Sequence, residues 1–231
     1  MHYVILILIC LGTAGKLDAQ SGVNADKLGA WYMYFFNHPF GGGAWGVQGD
    51  VQYRNWNLGG DLEQLLLRGG LTYSPAEAGI QFTLGYAHIT SGAYGDSDAT
   101  SAEHRIYQEA LFPQRIGGRF LLTHRLRYEQ RWVDGQDFRT RYRYNLFVNV
   151  PLNDRDLGDG VWYLALYNEL FINGQRHIGT TAAVELFDRN RLYLGLGYGI
   201  TDRLRAQLGY MRQSNDSFTK EQLQASLHHS W

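Results

Sequence analysis

The chain has one cysteine in 231 residues, four prolines, and no apolar run long enough to cross a membrane as a helix. Its longest apolar stretch, residues 4–11, falls well short of the roughly 18–20 residues that a spanning helix needs. A lone Cys10 excludes an internal disulfide and a thiolate metal site. A formal net charge of −1 gives no polycationic surface for nucleic acid. Lysine is scarce too: of 21 basic residues, only Lys16, Lys27 and Lys220 are lysines. Hydrated ammonium groups dominate ordinary soluble surfaces. Arginine is favoured where cations must pair with carboxylates in crowded, partly dehydrated places. Against these shortages stand 16 Tyr, 6 Trp and 28 Gly.

Residues 4–11 are followed by Gly12-Thr13-Ala14-Gly15 and then Ala19-Gln20, the layout of a secretory signal peptide cleaved after Ala19. No Lys or Arg precedes the apolar core, and Leu17 stands where a small residue is preferred. Cys10 follows Ile7-Leu8-Ile9, without the small residues of a lipid-attachment site. The expected organisation is a leader over 1–19 and one β domain over 20–231, since no Pro/Ser-rich linker divides the rest.

From about Gly29 onward the sequence alternates with a period of two between turn residues, the signature of half-buried strands. In 138–150, Phe138, Thr140, Tyr142, Tyr144, Leu146, Val148 and Val150 share one face. Arg139, Arg141, Arg143, Asn145, Phe147 and Asn149 share the other. Segments 119–132 and 191–200 repeat the scheme. Weaker versions cover 29–36, 43–56, 61–73, 79–90, 103–112, 161–172, 204–213 and 218–231. The expected fold is all-β, an antiparallel up-and-down transmembrane barrel. Single-chain bacterial barrels have even strand numbers, so twelve strands are expected if 180–200 splits at Asp188-Arg189-Asn190, or ten if 29–36 is a plug or lid. Turns near 74–78, 113–116, 151–160 and 201–203 belong at one end, and the Gly/Ser/Asp-rich stretch 91–102 at the other.

Alternation alone does not say which face is inside. Three features favour apolar-out. The polar face carries arginine with glutamate, a poor solvent surface but a plausible paired lumen. Glycines share that face, as needed where bulky side chains fill a narrow barrel. Aromatics gather near segment ends (Trp31, Trp45, Trp56, Trp132, Trp162, Tyr198, Trp231), where interfacial girdles sit. In hydrocarbon every backbone group must be hydrogen-bonded internally, so a chain crossing with strands must close its sheet.

The last strand sets Leu223, Ala225, Leu227, His229 and Trp231 against Gln222, Gln224, Ser226, His228 and Ser230. A terminal aromatic at the end of such a strand resembles the signal read by the outer-membrane barrel assembly machinery. Glu103-His104-Arg105, the run 125–131, Asn168-Glu169-Leu170-Phe171, Phe187-Asp188-Arg189-Asn190-Arg191 and Gly209-Tyr210-Met211 occur in an ordered succession. That succession, spread over nearly all of the chain after the leader, resembles the bacterial outer-membrane family known as domain of unknown function 2490. The resemblance implies an outer-membrane barrel among outer-membrane lipids, and no established activity.

On the alternation phase, Arg54, Arg68, Arg105, Arg125, Arg127, Arg131, Arg139, Arg141, Arg143 and Arg191 point into the lumen with Glu103, Glu129 and Glu169. One reading is an internal ladder that rigidifies and plugs a structural or interaction barrel, because arginine forks pair bidentately with carboxylates. The other is a narrow electropositive pore that passes a small anionic solute, because arginines outnumber these glutamates. A soluble periplasmic barrel holding an apolar ligand would use the same alternation with faces reversed. A lipid-modifying enzyme has the least support. His228-His229-Ser230 is the one adjacent His/Ser cluster, its members alternate in face, and no Gly-x-Ser-x-Gly turn exists. His104, His177 and Asp188 lack metal-ligand spacing, and Gly195, Gly197 and Gly199 alternate as a strand does, so no cofactor is expected.

Overall fold

A computed structural model describes residues 27–231, so the expected leader at 1–19 lies outside the described residues. The chain forms eleven strands: β1 (Gly29–Pro39), β2 (Trp45–Asn55), β3 (Leu62–Tyr73), β4 (Gln81–Gly92), β5 (Thr100–Ile116), β6 (Phe120–Val133), β7 (Arg139–Pro151), β8 (Trp162–Asn173), β9 (Phe187–Gly199), β10 (Leu204–Ser214) and β11 (Thr219–Ser230). They close into one barrel in sequence order, with β1 completing the ring against β11. Consecutive strands are antiparallel, as expected of an up-and-down meander.

The strand number falls between the ten and twelve expected. Segment 29–36 is neither plug nor lid but wall, and 180–200 stays a single strand that begins at Phe187. An odd number leaves the first and last strands running the same way, so β1 pairs with β11 in parallel, from Gly29↔Gln222 to Asn37↔Ser230. The turn expected at 113–116 also moves. Strand β5 runs on to Ile116, because the chain reverses at Gly117 and Gly118, which both take positive φ (58° and 74°). Glycine adopts that conformation without a Cβ penalty.

Burial alternates as the sequence implies. In β9, Arg191, Tyr193, Gly195, Gly197 and Gly199 are buried, whereas Leu192, Leu194 and Leu196 are exposed. The inner side of the wall near β8–β10 holds Tyr163, Tyr193, Met211 and Trp31 as a small core. Its glycines make that packing possible: a Cβ at Gly197 would collide with the Tyr163 ring, and one at Gly209 with Tyr193. Trp31 departs from the expected girdle. It points inward at 2% exposure, because its indole N–H finds Glu63 (3.0 Å) and its ring face finds an arginine.

The seam is clasped on the outside by the C-terminus. The Trp231 ring packs against His229 (4.4 Å between centroids), His38 (5.4 Å) and Phe36 (6.2 Å), and the His38 imidazole lies 2.8 Å from the Trp231 carbonyl. Tyr34 and His229 lie in hydrogen-bond contact one step further in. Such aromatic contacts are worth about 0.5–1.5 kcal/mol each beyond buried area. Replacing Trp231 with Asp is therefore expected to lower stability by about 2 kcal/mol and cut the yield of folded barrel. A urea-unfolding midpoint equal to that of the loop variant Asp96→Ala would show that the clasp contributes nothing.

Candidate functional site

The lumen is filled by charge. Its centre is Glu129, whose carboxylate accepts hydrogen bonds from Arg141 (2.7 Å) and Arg143 (2.6 Å) and lies 3.8 Å from Arg105 and Arg127. Glu169 forms a second centre, paired with Arg143 and with Arg125 (2.6 Å), and 3.8 Å from Arg191. Glu103 accepts from Arg105 (2.7 Å) and Arg131 (2.5 Å). The register explains why these groups meet. Glu129 lies directly opposite Arg141 across β6–β7, and Arg127 lies opposite both Glu109 and Arg143. Same-face neighbours on adjacent strands are within side-chain reach.

All thirteen charged residues singled out from the sequence occupy the inner face, and the structure joins most of them through shared carboxylates. Four acids were missed. Asp50 pairs with Arg68 (2.9 Å), Glu109 with Arg127 (2.5 Å), Asp188 with Arg141 (2.8 Å), and Glu63 with Trp31. Glu109 shares its parity with Glu103 and Arg105, so the alternation already held that signal. Asp188 had been assigned to a turn that does not exist. With these acids counted, the excess of positive charge is much smaller than the sequence suggested. Arg54 and Arg139 have no carboxylate within ion-pair distance among the described residues. Arg54 donates to Gln52 and Gln64 and lies over the Trp31 ring (3.7 Å). Arg139 sits opposite Arg131, its Nε without a hydrogen-bond partner.

The pairs are dry. Glu129 is 1% exposed, and the side chains of Arg105, Arg127, Arg131, Arg141 and Arg143 are 5–7% exposed. Lumen residues toward the rim where β1 begins, such as Glu63, Glu103 and Asn173, are buried as well. Toward the opposite rim, where β11 ends, Phe35, Thr123, Arg125, Phe147, Arg205, Gln207 and His228 are only half-buried. The barrel is a cup, closed by ion pairs and open toward its C-terminal rim. The connection 152–161 folds over part of this mouth and places Leu157 against the inner aromatic core.

The outer face is the converse. Leu84, Leu194, Leu208 and Tyr142 are more than half exposed, at 60, 56, 63 and 54%. Aromatic pairs stand near both rims: Trp45–Tyr73 and Trp162–Tyr198 at the C-terminal rim, Trp132–Phe138 at the other.

A family model described as "Protein of unknown function (DUF2490)" matches residues 28–224. The chain belongs to the DUF2490 family. An uncharacterized protein of Methylorubrum extorquens is 31% identical over 167 residues, which cover 71% of this chain and 69% of that protein. No solved structure matches the chain. The family label carries no chemistry, so what this DUF2490 barrel does must be read from its residues.

One polar contact in this DUF2490 lumen was not expected from the sequence. Ser226 Oγ lies 3.0 Å from His228 Nε2, both on the inner face of β11, so the internal Ser/His pair is this one and not His228/Ser230. The His228 ring stacks on Phe35 (4.8 Å, 11°), and among the described residues no carboxylate hydrogen-bonds it. The pair therefore lacks the orienting third group of an activated nucleophile. Among the described residues no group of three or more His, Cys, Asp or Glu is placed to hold a metal ion.

Proposed function

We propose that this chain is an outer-membrane β-barrel sealed by its own Arg–carboxylate network, a structural or interaction barrel with no catalytic step. The observation that carries this reading is the inversion of faces: the charges lie inside, and large apolar side chains cover the outside. Exposed contiguous apolar surface of this extent is costly in water, but it is what a bilayer requires of a barrel wall. Aromatic pairs near both rims supply the interfacial girdles. A soluble barrel holding an apolar ligand would need the opposite arrangement. The C-terminal rim then faces the periplasm.

The sealed form is favoured over an anion-selective pore by the packing of the lumen charges. A conducting ring keeps its charges wet and available to ions. Here the arginine forks are committed to buried carboxylates. The protein is expected to fractionate with outer membranes, to migrate faster in SDS gels before heating than after, and to give no steady single-channel current in planar bilayers. Recovery as a freely soluble periplasmic protein would overturn the membrane reading. A stable anion-selective current would overturn the seal alone.

A further inference from the structure

The half-open end of the lumen carries a cation that the ion-pair network does not absorb. Arg205 lies on the inner face of β10, and among the described residues no carboxylate comes within ion-pair distance of it. Its guanidinium reaches the Tyr163 hydroxyl, while its Nε is buried without a hydrogen-bond partner. Every other inward arginine either pairs with an acid or, like Arg54 and Arg139, sits toward the closed rim. Arg205 sits at the open one, directly across the β10–β11 ladder from His228. Next to that pair are the Ser226 hydroxyl and Gln207, whose amide donates to the Tyr163 hydroxyl (3.1 Å). These are uncharged hydrogen-bonding groups. The surroundings are apolar: Phe35 stacks on His228, Leu157 reaches in from the connection above, and Phe147 lies across the cup.

The geometry points to a binding site for a small organic anion, a carboxylate or phosphate ester with an apolar body, in the open end of the lumen beside Arg205 and His228. A guanidinium presents parallel N–H groups that match carboxylate and phosphate oxygens two at a time. A half-buried cation held by a tyrosine hydroxyl, with no carboxylate to neutralise it, is costly unless an anion from outside completes it. An anion does so, with hydroxyl and amide groups to hold its remaining oxygens. The apolar body would lie against Phe35 and Leu157, which are only half-buried at this end. The base of the cup is closed by the Glu169 and Glu129 pairs, so the site binds its ligand without passing it through. In this form the inference deepens the sealed-barrel reading, since it places the ligand's access at the C-terminal rim.

The test uses the full chain purified in a non-ionic detergent, with phenyl phosphate, benzoate, inorganic phosphate and benzyl alcohol titrated separately in a calorimeter. Phenyl phosphate or benzoate is expected to bind at one site, more tightly than inorganic phosphate, while benzyl alcohol does not bind. Arg205→Gln is expected to weaken binding at least about tenfold, the loss of one charge-assisted contact, and Arg203→Gln in the neighbouring exposed turn to leave it unchanged. Arg205→Lys, which keeps the charge but loses the fork, should fall between, and the unheated gel mobility of each variant reports that it is folded. Absence of saturable binding by the unaltered protein overturns the site. So does equal binding by a folded Arg205→Gln variant, or benzyl alcohol binding as well as benzoate. Inorganic phosphate binding as tightly as phenyl phosphate would remove the apolar part of the claim. None of these outcomes depends on where the protein fractionates, so failure of the site and failure of the membrane reading are told apart.

Discussion

Glu129→Ala is expected to destabilise the barrel by about 3–5 kcal/mol, the cost of removing one member from a buried ion cluster. The Glu129 carboxylate is the shared partner of Arg141 and Arg143 and faces Arg105 and Arg127. Without it, guanidiniums on three neighbouring strands face one another in a space with almost no water. A large share of the loss is the charge left behind, so Glu129→Gln should be nearly as damaging although it keeps the shape and can still accept hydrogen bonds. Arg139→Ser is the contrast. That arginine has no ion-pair partner among the described residues, so its loss strands no carboxylate and should cost less than about 1 kcal/mol. Urea midpoints followed by tryptophan fluorescence in detergent measure all three. If Glu129→Ala and Arg139→Ser shift the midpoint equally, the network is not what holds the lumen closed.

Leu194→Arg carries the second large effect, and it acts on the other side of the same strand. Leu194 is exposed at the middle of β9, while its neighbour Tyr193 is 3% exposed and packs inside. An arginine on the outer face near the bilayer midplane costs roughly 2–4 kcal/mol, because its head must be dragged toward the interface or dissolved in hydrocarbon. The variant should therefore insert poorly, and the folded fraction should unfold earlier in liposomes than the parent. In water the same change would improve a protein, since it replaces an exposed leucine by a charge. Higher soluble yield with an unchanged midpoint would place this face in solvent and reverse the membrane assignment.

Much of this was legible in the sequence because a strand has only two faces. Once Arg141 and Arg143 alternate with Tyr142 and Tyr144, a single decision about sidedness orients every residue of the strand, and neighbouring strands repeat that decision. The pairing of the charges needed more. Glu129 and Arg141 are partners through register, which alternation leaves open to any even shift. Asp50 was missed although it shares its parity with Arg54, in a segment whose alternation is one of the weaker ones. Asp188 was missed because Asp-Arg-Asn resembles a turn until β9 is seen to begin at Phe187. Parallel closure was the least visible feature. Nothing in β1 itself records whether its far neighbour runs with it or against it, and the even-number rule for bacterial barrels argued the wrong way. Arg205 and Ser226 were passed over because their significance lies in what surrounds them, not in their own segments.

The parallel seam between β1 and β11 also fixes an order of events. Each other pair of neighbours in the wall is joined by a connection of at most thirteen residues and can form as a local hairpin. The seam brings together groups 195 positions apart, such as Tyr34 and His229. Closing a loop of that length costs roughly 3 kcal/mol more chain entropy than closing a five-residue turn. Parallel pairing also returns slightly less per residue than antiparallel. A chain that closed this seam first would bear the whole entropic cost before any contact repaid it. A chain that grows its meander first finds the two edges already curved toward each other by the twist of the intervening strands. Ring closure therefore comes last in folding, and the Trp231 clasp sits on the one joint that has no covalent shortcut across it.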